Sequence, residues 1–251
     1  MEHHAASDPL IALREQVAAL ASPARGGGVL AFGVSEIDAR LADGGLALGA
    51  LHEVAAAAPA LAEDAAATLF LTGIAARTDR AAPVLWALTR FDLYAPGIEQ
   101  AGLPPARVLF AQARDDRELL AVMEDALRQG GVGAVIGEVR RADMTATRRL
   151  QLAAADHHIP ALLLRRWRKL GACPLSEPSA ATTRWRIGCA PSRPLGIPGV
   201  GRARWTVDLV RQRNGNPFTL TMEGCDAQGR LGLPAPARDR AAGAGRRARA
   251  A

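Results

Sequence analysis

Hydrophobic positions along this chain follow two different periods, and the change falls near residue 165. Upstream, short uncharged apolar runs alternate with helical stripes. Ala50–Val54, Pro83–Leu88, Arg107–Ala111, Gly133–Gly137 and Ile159–Leu164 read as strands, most of them buried on both faces. Between them, residues 61–77, Asp115–Arg128 and Thr145–His157 read as helices, with Leu119, Leu120, Met123 and Leu127 on one stripe of the second. Buried strands alternating with helices imply a mainly parallel sheet sandwiched by helices, an α/β fold. Downstream, Thr183–Ile187, Trp205–Val210 and Phe218–Met222 alternate with period two. That pattern predicts antiparallel strands with one solvated face, and Asn214-Gly215 predicts a hairpin joining the last two.

The ends of the chain fit neither pattern. Residues 8–21 carry helical spacing, with Asp8 as N-cap and Pro9 in the first turn, and Gly26-Gly27-Gly28 then interrupts the chain. Residues 234–251 are mostly Ala, Gly, Arg and Pro without apolar periodicity, which predicts a disordered basic tail. The expected organisation is an N-terminal helix and glycine linker over 1–28, a core over 29–233 and the tail over 234–251. No internal repeat is visible.

A chain of 251 residues can bury one sizeable core. Its longest uncharged apolar run, Ala65 to Ala76, is too short to span a bilayer, and the acidic start is unlike a signal peptide. A cytoplasmic protein is expected. Cys173, Cys189 and Cys225 are odd in number and widely spaced, which argues against a disulfide framework and a metal site. Charge is informative once divided. Residues 1–139 hold 10 Arg and 18 Asp/Glu, whereas residues 140–251 hold 20 Arg, one Lys and 7 Asp/Glu. The basic C-terminal half points to a polyanion or an acidic protein partner.

Candidate chemistry centres on the strand ending at Val54. The glycine turn Gly44-Gly45-Leu46-Ala47-Leu48-Gly49 leads into it, as glycine turns lead into nucleotide-binding loops. Beyond Val54 the chain reads Ala55, Ala56, Ala57, Ala58, Pro59, and then reaches Glu63 and Asp64. A phosphate-binding loop needs glycines to curl backbone N–H groups around phosphate and a lysine to reach its terminal oxygens. The only lysine is Lys169. Each missing charge-assisted hydrogen bond is worth roughly 1.5–3 kcal/mol, and each ~1.4 kcal/mol is tenfold in affinity. Loss of several predicts loss of tight nucleotide binding, with no cofactor required.

From about residue 30 to 225 the chain resembles the RecA recombinase core. The glycine turn, Val84–Leu88 followed by Tyr94-Ala95, and Gly102-Leu103-Pro104 before Arg107-Val108-Leu109 carry the likeness. More specifically it resembles the ImuA family of bacterial damage-inducible mutagenesis proteins. That resemblance rests on Gly49-Ala50-Leu51-His52-Glu53-Val54, Val84-Leu85-Trp86, Leu93-Tyr94-Ala95-Pro96-Gly97, Arg148-Arg149-Leu150-Gln151-Leu152-Ala153-Ala154 and Thr183-Arg184-Trp185-Arg186. It implies a RecA-like core without catalysis, acting as an adaptor in SOS-induced translesion synthesis and associated with the nucleoid after DNA damage. The implied partners are an inactive Y-family polymerase relative (ImuB) and, indirectly, an error-prone C-family DNA polymerase; RecA, single-stranded DNA and further copies of the chain are additional partner classes. Glu138 falls where RecA-type ATPases place a magnesium-handling acid, and a structural role, capping or pairing with a nearby arginine, is expected for it here.

Arg165, Arg166, Trp167, Arg168 and Lys169 form the densest basic cluster, at the end of a buried strand where α/β folds place ligands. Its cations suit phosphates and its indole suits an unpaired base. Arg184 and Arg186 share one face of a strand opposite Trp185, and Arg202 and Arg204 open the next strand. These residues are the expected nucleic-acid or partner contacts. His52 and Glu53 alternate to opposite faces and are not expected to act as a pair, and no serine sits in a nucleophile elbow. Behind the adaptor reading stand a single-strand-binding modulator of RecA recombination, a residual ATPase, and the SulA-like cell-division label sometimes given to this family.

Overall fold

A computed structural model of the chain describes residues 28–167, 172–192, 199 and 201–234. The helix expected over 8–21 and nearly all of the expected tail lie outside the described residues.

Eight strands form one sheet in the order β10-β9-β8-β3-β7-β6-β4-β5. In chain order these are β3 (Leu51–Ala56), β4 (Val84–Leu88), β5 (Val108–Gln112), β6 (Ala134–Val139), β7 (Ala161–Arg165), β8 (Thr183–Ala190), β9 (Arg204–Gln212) and β10 (Phe218–Glu223). β3 to β8 run parallel, and β9 and β10 extend the sheet antiparallel. A two-stranded ribbon, β1 (Val29–Leu30) with β2 (Leu46–Ala47), precedes it and spans the short helix α1 (Ser35–Asp38). The α/β expectation holds, with one difference. β8 pairs parallel with β3 on one edge and antiparallel with β9 on the other. It is the junction of the two sheet types, and its two faces are largely buried rather than one being solvated. Period-two alternation reports a strand's faces but is blind to the direction of its neighbour.

Helices cover both faces, and each face has its own core. α2 (Leu61–Ala76) and α3 (Ala95–Gln100) belong to the core that holds Phe70, Leu71, Trp86, Leu164 and Trp185. Phe32, Phe70, Trp185 and Phe218 meet there with neighbouring centroids 5.6–6.0 Å apart. α4 (Asp116–Gln129) and α5 (Met144–His157) cover the other face through Leu119, Met123, Leu127 and Leu150. Asp115 and Asp143 cap these two helices by accepting from Glu118 N and Ala146 N. α5 ends as expected at the paired histidines, His158 taking the left-handed conformation at φ 56°.

α2 is buried on nearly every side from Ala66 onward. Its outer surface lies under the segment after β10, where a Cβ on Gly73 would come within 2.1 Å of Cys225 Sγ. Glycine at that position is therefore a requirement of the overlying chain. Asn214 adopts φ 60° in the β9–β10 connection, which spans residues 213–217 and is therefore longer than a two-residue Asn-Gly turn, although it joins the two strands as a hairpin.

Candidate functional site

β3, β4, β6 and β7 point their C-terminal ends toward one edge of the parallel sheet, the position where open α/β sheets bind ligands. Ala55 and Ala56 belong to β3 and are buried, so the connection to α2 is only residues 57–60. Ala57 N–H donates to Ile187 O at 2.8 Å, which ties the loop to β8. Glu63 and Asp64 fall in the first turn of α2. Their carboxylates sit at the positive end of the helix, where a phosphate would otherwise be held. Glu63 accepts from Cys189 N–H at 2.8 Å.

Glu138, at the end of β6, is the hub of this edge. It accepts from Trp86 Nε1 at 2.8 Å through one oxygen and from Arg166 at 2.6 and 3.1 Å through the other. Arg166 also lies 3.6 Å from Asp64. Burial alone would lower the Arg166 pKa, but the charge and hydrogen bond of Glu138, with Asp64 and Asp92, raise it above the ordinary arginine value. Trp167 donates its indole N–H to Ala56 O at 2.9 Å and packs on the core. The remaining space is about 200 Å³, lined by Arg90, Asp92 and Arg140 beside the ion-paired groups. Small-molecule sites are usually 300–1,000 Å³ and mostly apolar. This edge is instead small, charged and internally neutralised.

No family model matches the chain. It is similar to Protein ImuA from two strains of Caulobacter vibrioides, 42% identical to each over 206 residues that cover 79% of this chain and 84% of the relative. The chain belongs to the ImuA family.

In this family member the basic residues singled out from sequence are dispersed. Arg165 is fully buried and cannot face a phosphate: it donates to Glu53 at 2.9 Å, to Ala142 O at 3.1 Å and to Glu177 at 2.6 Å. Arg184 is also buried and donates to the other Glu53 oxygen at 2.6 Å. Neighbours in sequence thus end in unlike environments, because β7 alternates Arg165 toward the α5 face and the chain then turns Arg166 toward Glu138. Arg186 is exposed and paired with Asp208. Arg202 donates to Gly224 O, Arg230 O and Glu223. Arg204 opens β9, half-buried. Arg168 and Lys169 lie outside the described residues.

His52 and Glu53 do face opposite ways. His52 is fully buried, with Nε2 at 2.8 Å from Ala47 O and Nδ1 at 2.7 Å from Thr183 Oγ1. A carbonyl only accepts, so Nε2 carries the proton and Nδ1 accepts from the threonine, which in turn accepts from Trp185 Nε1 at 2.7 Å. Burial lowers the His52 pKa to about 4, and the Ala47 carbonyl opposes this.

The structure also shows a surface that the sequence pattern does not reveal. β5 is the outer strand at the parallel end of the sheet, with Leu109 52% and Phe110 39% exposed. Phe91 packs edge-on to Phe110 at 4.8 Å, and Phe91 and Tyr94 are themselves exposed. Natural edges are usually blunted by charge, proline or a bulge, and VLFAQ carries none of these. The available signal is that same uncharged run, which marks a strand but not its place in the sheet.

Proposed function

We propose that this protein is a non-catalytic adaptor in SOS-induced translesion DNA synthesis. It binds an inactive Y-family polymerase relative of the ImuB kind and, through it, supports an error-prone C-family polymerase. The observation that carries the reading is the filling of the strand ends. Glu138, which in an ATPase core would serve magnesium, is engaged by Trp86 and Arg166, and Asp64 stands near the same arginine. Membership of the ImuA family supports the setting in damage-induced mutagenesis.

Without a nucleotide to turn over, the protein acts by presenting surfaces. The open edge β5, with Leu109 exposed on one face and Phe110 beside Phe91 on the other, suits an incoming extended segment whose backbone adds to the sheet and whose alternate side chains cover both faces. Binding of single-stranded DNA is the weaker reading. Arg165 and Arg184 are buried, and Arg186 and Arg202 are already engaged by carboxylates. Arg186 and Arg202 would have to abandon those partners to meet phosphate.

The test is a fluorescence-anisotropy titration of the full chain with a labelled ATP analogue and magnesium, alongside the purified ImuB-type relative. No saturable nucleotide signal with saturable protein binding is the expected pair of results. Saturable ATP binding would overturn the non-catalytic reading, and absence of protein binding would overturn the adaptor reading.

A further inference from the structure

Glu138 is the acid that a RecA-like fold would give to magnesium, and the residues around it do not fit a magnesium-bound nucleotide. The β3–α2 connection, residues 57–60, holds no glycine and no lysine, and the space at the strand ends is about 200 Å³. Among the described residues no three His, Cys, Asp or Glu side chains are grouped to hold a metal ion. Both oxygens of Glu138 are taken, one by Trp86 and the other by Arg166. A metal ion reaches this carboxylate only by displacing one of them.

Such a misfit has two separable causes. A binding loop can be lost, or another group can hold the site closed. The backbone here points to the second as well as the first. The β6–β7 ladder runs one residue past β7, with Arg166 N–H donating to Val139 O at 2.8 Å. The next residue is also fixed, Trp167 donating its indole N–H to Ala56 O at 2.9 Å. Arg166 therefore leaves a held backbone, unlike the long side chain of an ordinary surface pair. Its guanidinium bonds Glu138 twice, at 2.6 and 3.1 Å, and lies 3.6 Å from Asp64 in the first turn of α2. The Glu138 side chain is 7% exposed and that of Arg166 22%. One guanidinium thus joins β6, the end of β7 and α2.

The charges lining this space balance only because Arg166 is among them. Asp64, Asp92 and Glu138 face Arg90, Arg140 and Arg166. With Arg166 in place there is no net charge to draw a free cation. Without it the lining is negative, Arg90 stays beside Asp92 at 3.8 Å, and Glu138 and Asp64 lose their shared cation. Magnesium-type ions commonly use one or two carboxylates with water completing the shell, so these two suffice once freed.

From this geometry we infer that Arg166 is a tethered cation that closes the strand ends to metal ions, held on the carboxylates of Glu138 and Asp64 that a divalent ion would need. Being part of the chain, it competes at an effective concentration of about millimolar or more. The inference rests on reading these strand ends as those of a former nucleotide site. The two fail separately: an ATP analogue on the parent chain decides the non-catalytic reading, and ion binding to Arg166 variants decides this one.

The test titrates terbium(III) chloride, a hard oxygen-seeking ion, into the full chain and reads emission sensitised by tryptophan. Trp86 touches Glu138 and Trp167 lines the same space, so an ion bound there lies beside two indoles. The parent is expected to give no saturable emission. Arg166→Gln is expected to bind terbium at least about tenfold more tightly than the parent, and excess magnesium chloride should displace it. Adding Glu138→Gln to that variant should remove the gain, which places the ion at this carboxylate. Arg166→Met repeats the measurement with an apolar stem of similar length. Circular dichroism follows folding, and a variant unfolded alone is expected to fold in excess ion, because a ligand of the native state stabilises it. Saturable binding by the parent, no gain in Arg166→Gln and Arg166→Met, a gain that survives Glu138→Gln, or both variants unfolded even in excess ion would each overturn the inference.

Discussion

Arg165 donates to Glu53 at 2.9 Å with both side chains wholly removed from solvent. Arg184 holds the second carboxylate oxygen at 2.6 Å, so one glutamate on β3 bridges two buried cations contributed by the strands on either side of it, and Glu177 supplies a second negative charge at Arg165. This arrangement fastens β7 and β8 to β3 by charge as well as by backbone pairing. Glu53→Gln keeps the shape and removes the charge, leaving Arg184 without its carboxylate partner and Arg165 with Glu177 alone. A loss of about 3–5 kcal/mol is expected, as for other broken buried pairs, read from the urea midpoint by circular dichroism. A change under about 1 kcal/mol would show that water reaches the site.

Helix propensity alone favours alanine over glycine by about 1 kcal/mol, so Gly73→Ala in α2 would ordinarily stabilise. Here the new Cβ meets Cys225 Sγ at 2.1 Å and Gly229 O at 3.1 Å. The expected result is destabilisation of about 1–3 kcal/mol from overpacking. Cys225→Ala in the same chain should return much of it, because the sulfur is the closest obstacle. Thermal melts of the single and double variants decide the sign.

His52 makes stability depend on acid. Its folded pKa of about 4 lies below the ordinary value of 6.5, because burial disfavours the charged ring. Between these values the unfolded chain binds a proton that the folded chain refuses. The stabilisation is therefore complete above about pH 6.5 and is lost as pH falls toward 4, by about 3 kcal/mol in all. Urea titrations at pH 7.5 and pH 5 should show a steeper loss for the parent than for His52→Asn. Equal losses would mean that the ring is solvated in the native state.

Leu109 is more than half exposed on the outer strand, so Leu109→Glu should leave the melting temperature within a degree or two, in line with surface substitutions of about ±0.5 kcal/mol. Partner affinity should nevertheless fall about tenfold or more if an incoming strand covers Leu109. Anisotropy with the labelled ImuB-type relative measures it, and unchanged affinity would move the contact away from β5.

Much of this protein is written in local pattern. Among the described residues, the strands and helices expected from apolar periodicity reappear within a few residues of their anticipated ends, for instance the helix read as Asp115–Arg128 and found as Asp116–Gln129. Binary pattern acts within a few residues of itself, so sequence alone determines it. A structural role for Glu138 was also legible; of the two expected, capping or pairing with an arginine, the fold supplies the pair with Arg166.

Tertiary structure decided where each element sits relative to the others. Nothing local to VLFAQ distinguishes a central strand from an edge, because the difference is the absence of a neighbour contributed by distant chain. Likewise the run Arg165-Arg166-Trp167 reads as one basic cluster, yet Glu53 and Glu138 divide it into two separate ion pairs from 112 and 28 residues away. Charge in a sequence is a sum, whereas charge at a surface is what remains after buried partners are subtracted, and only the folded chain performs that subtraction.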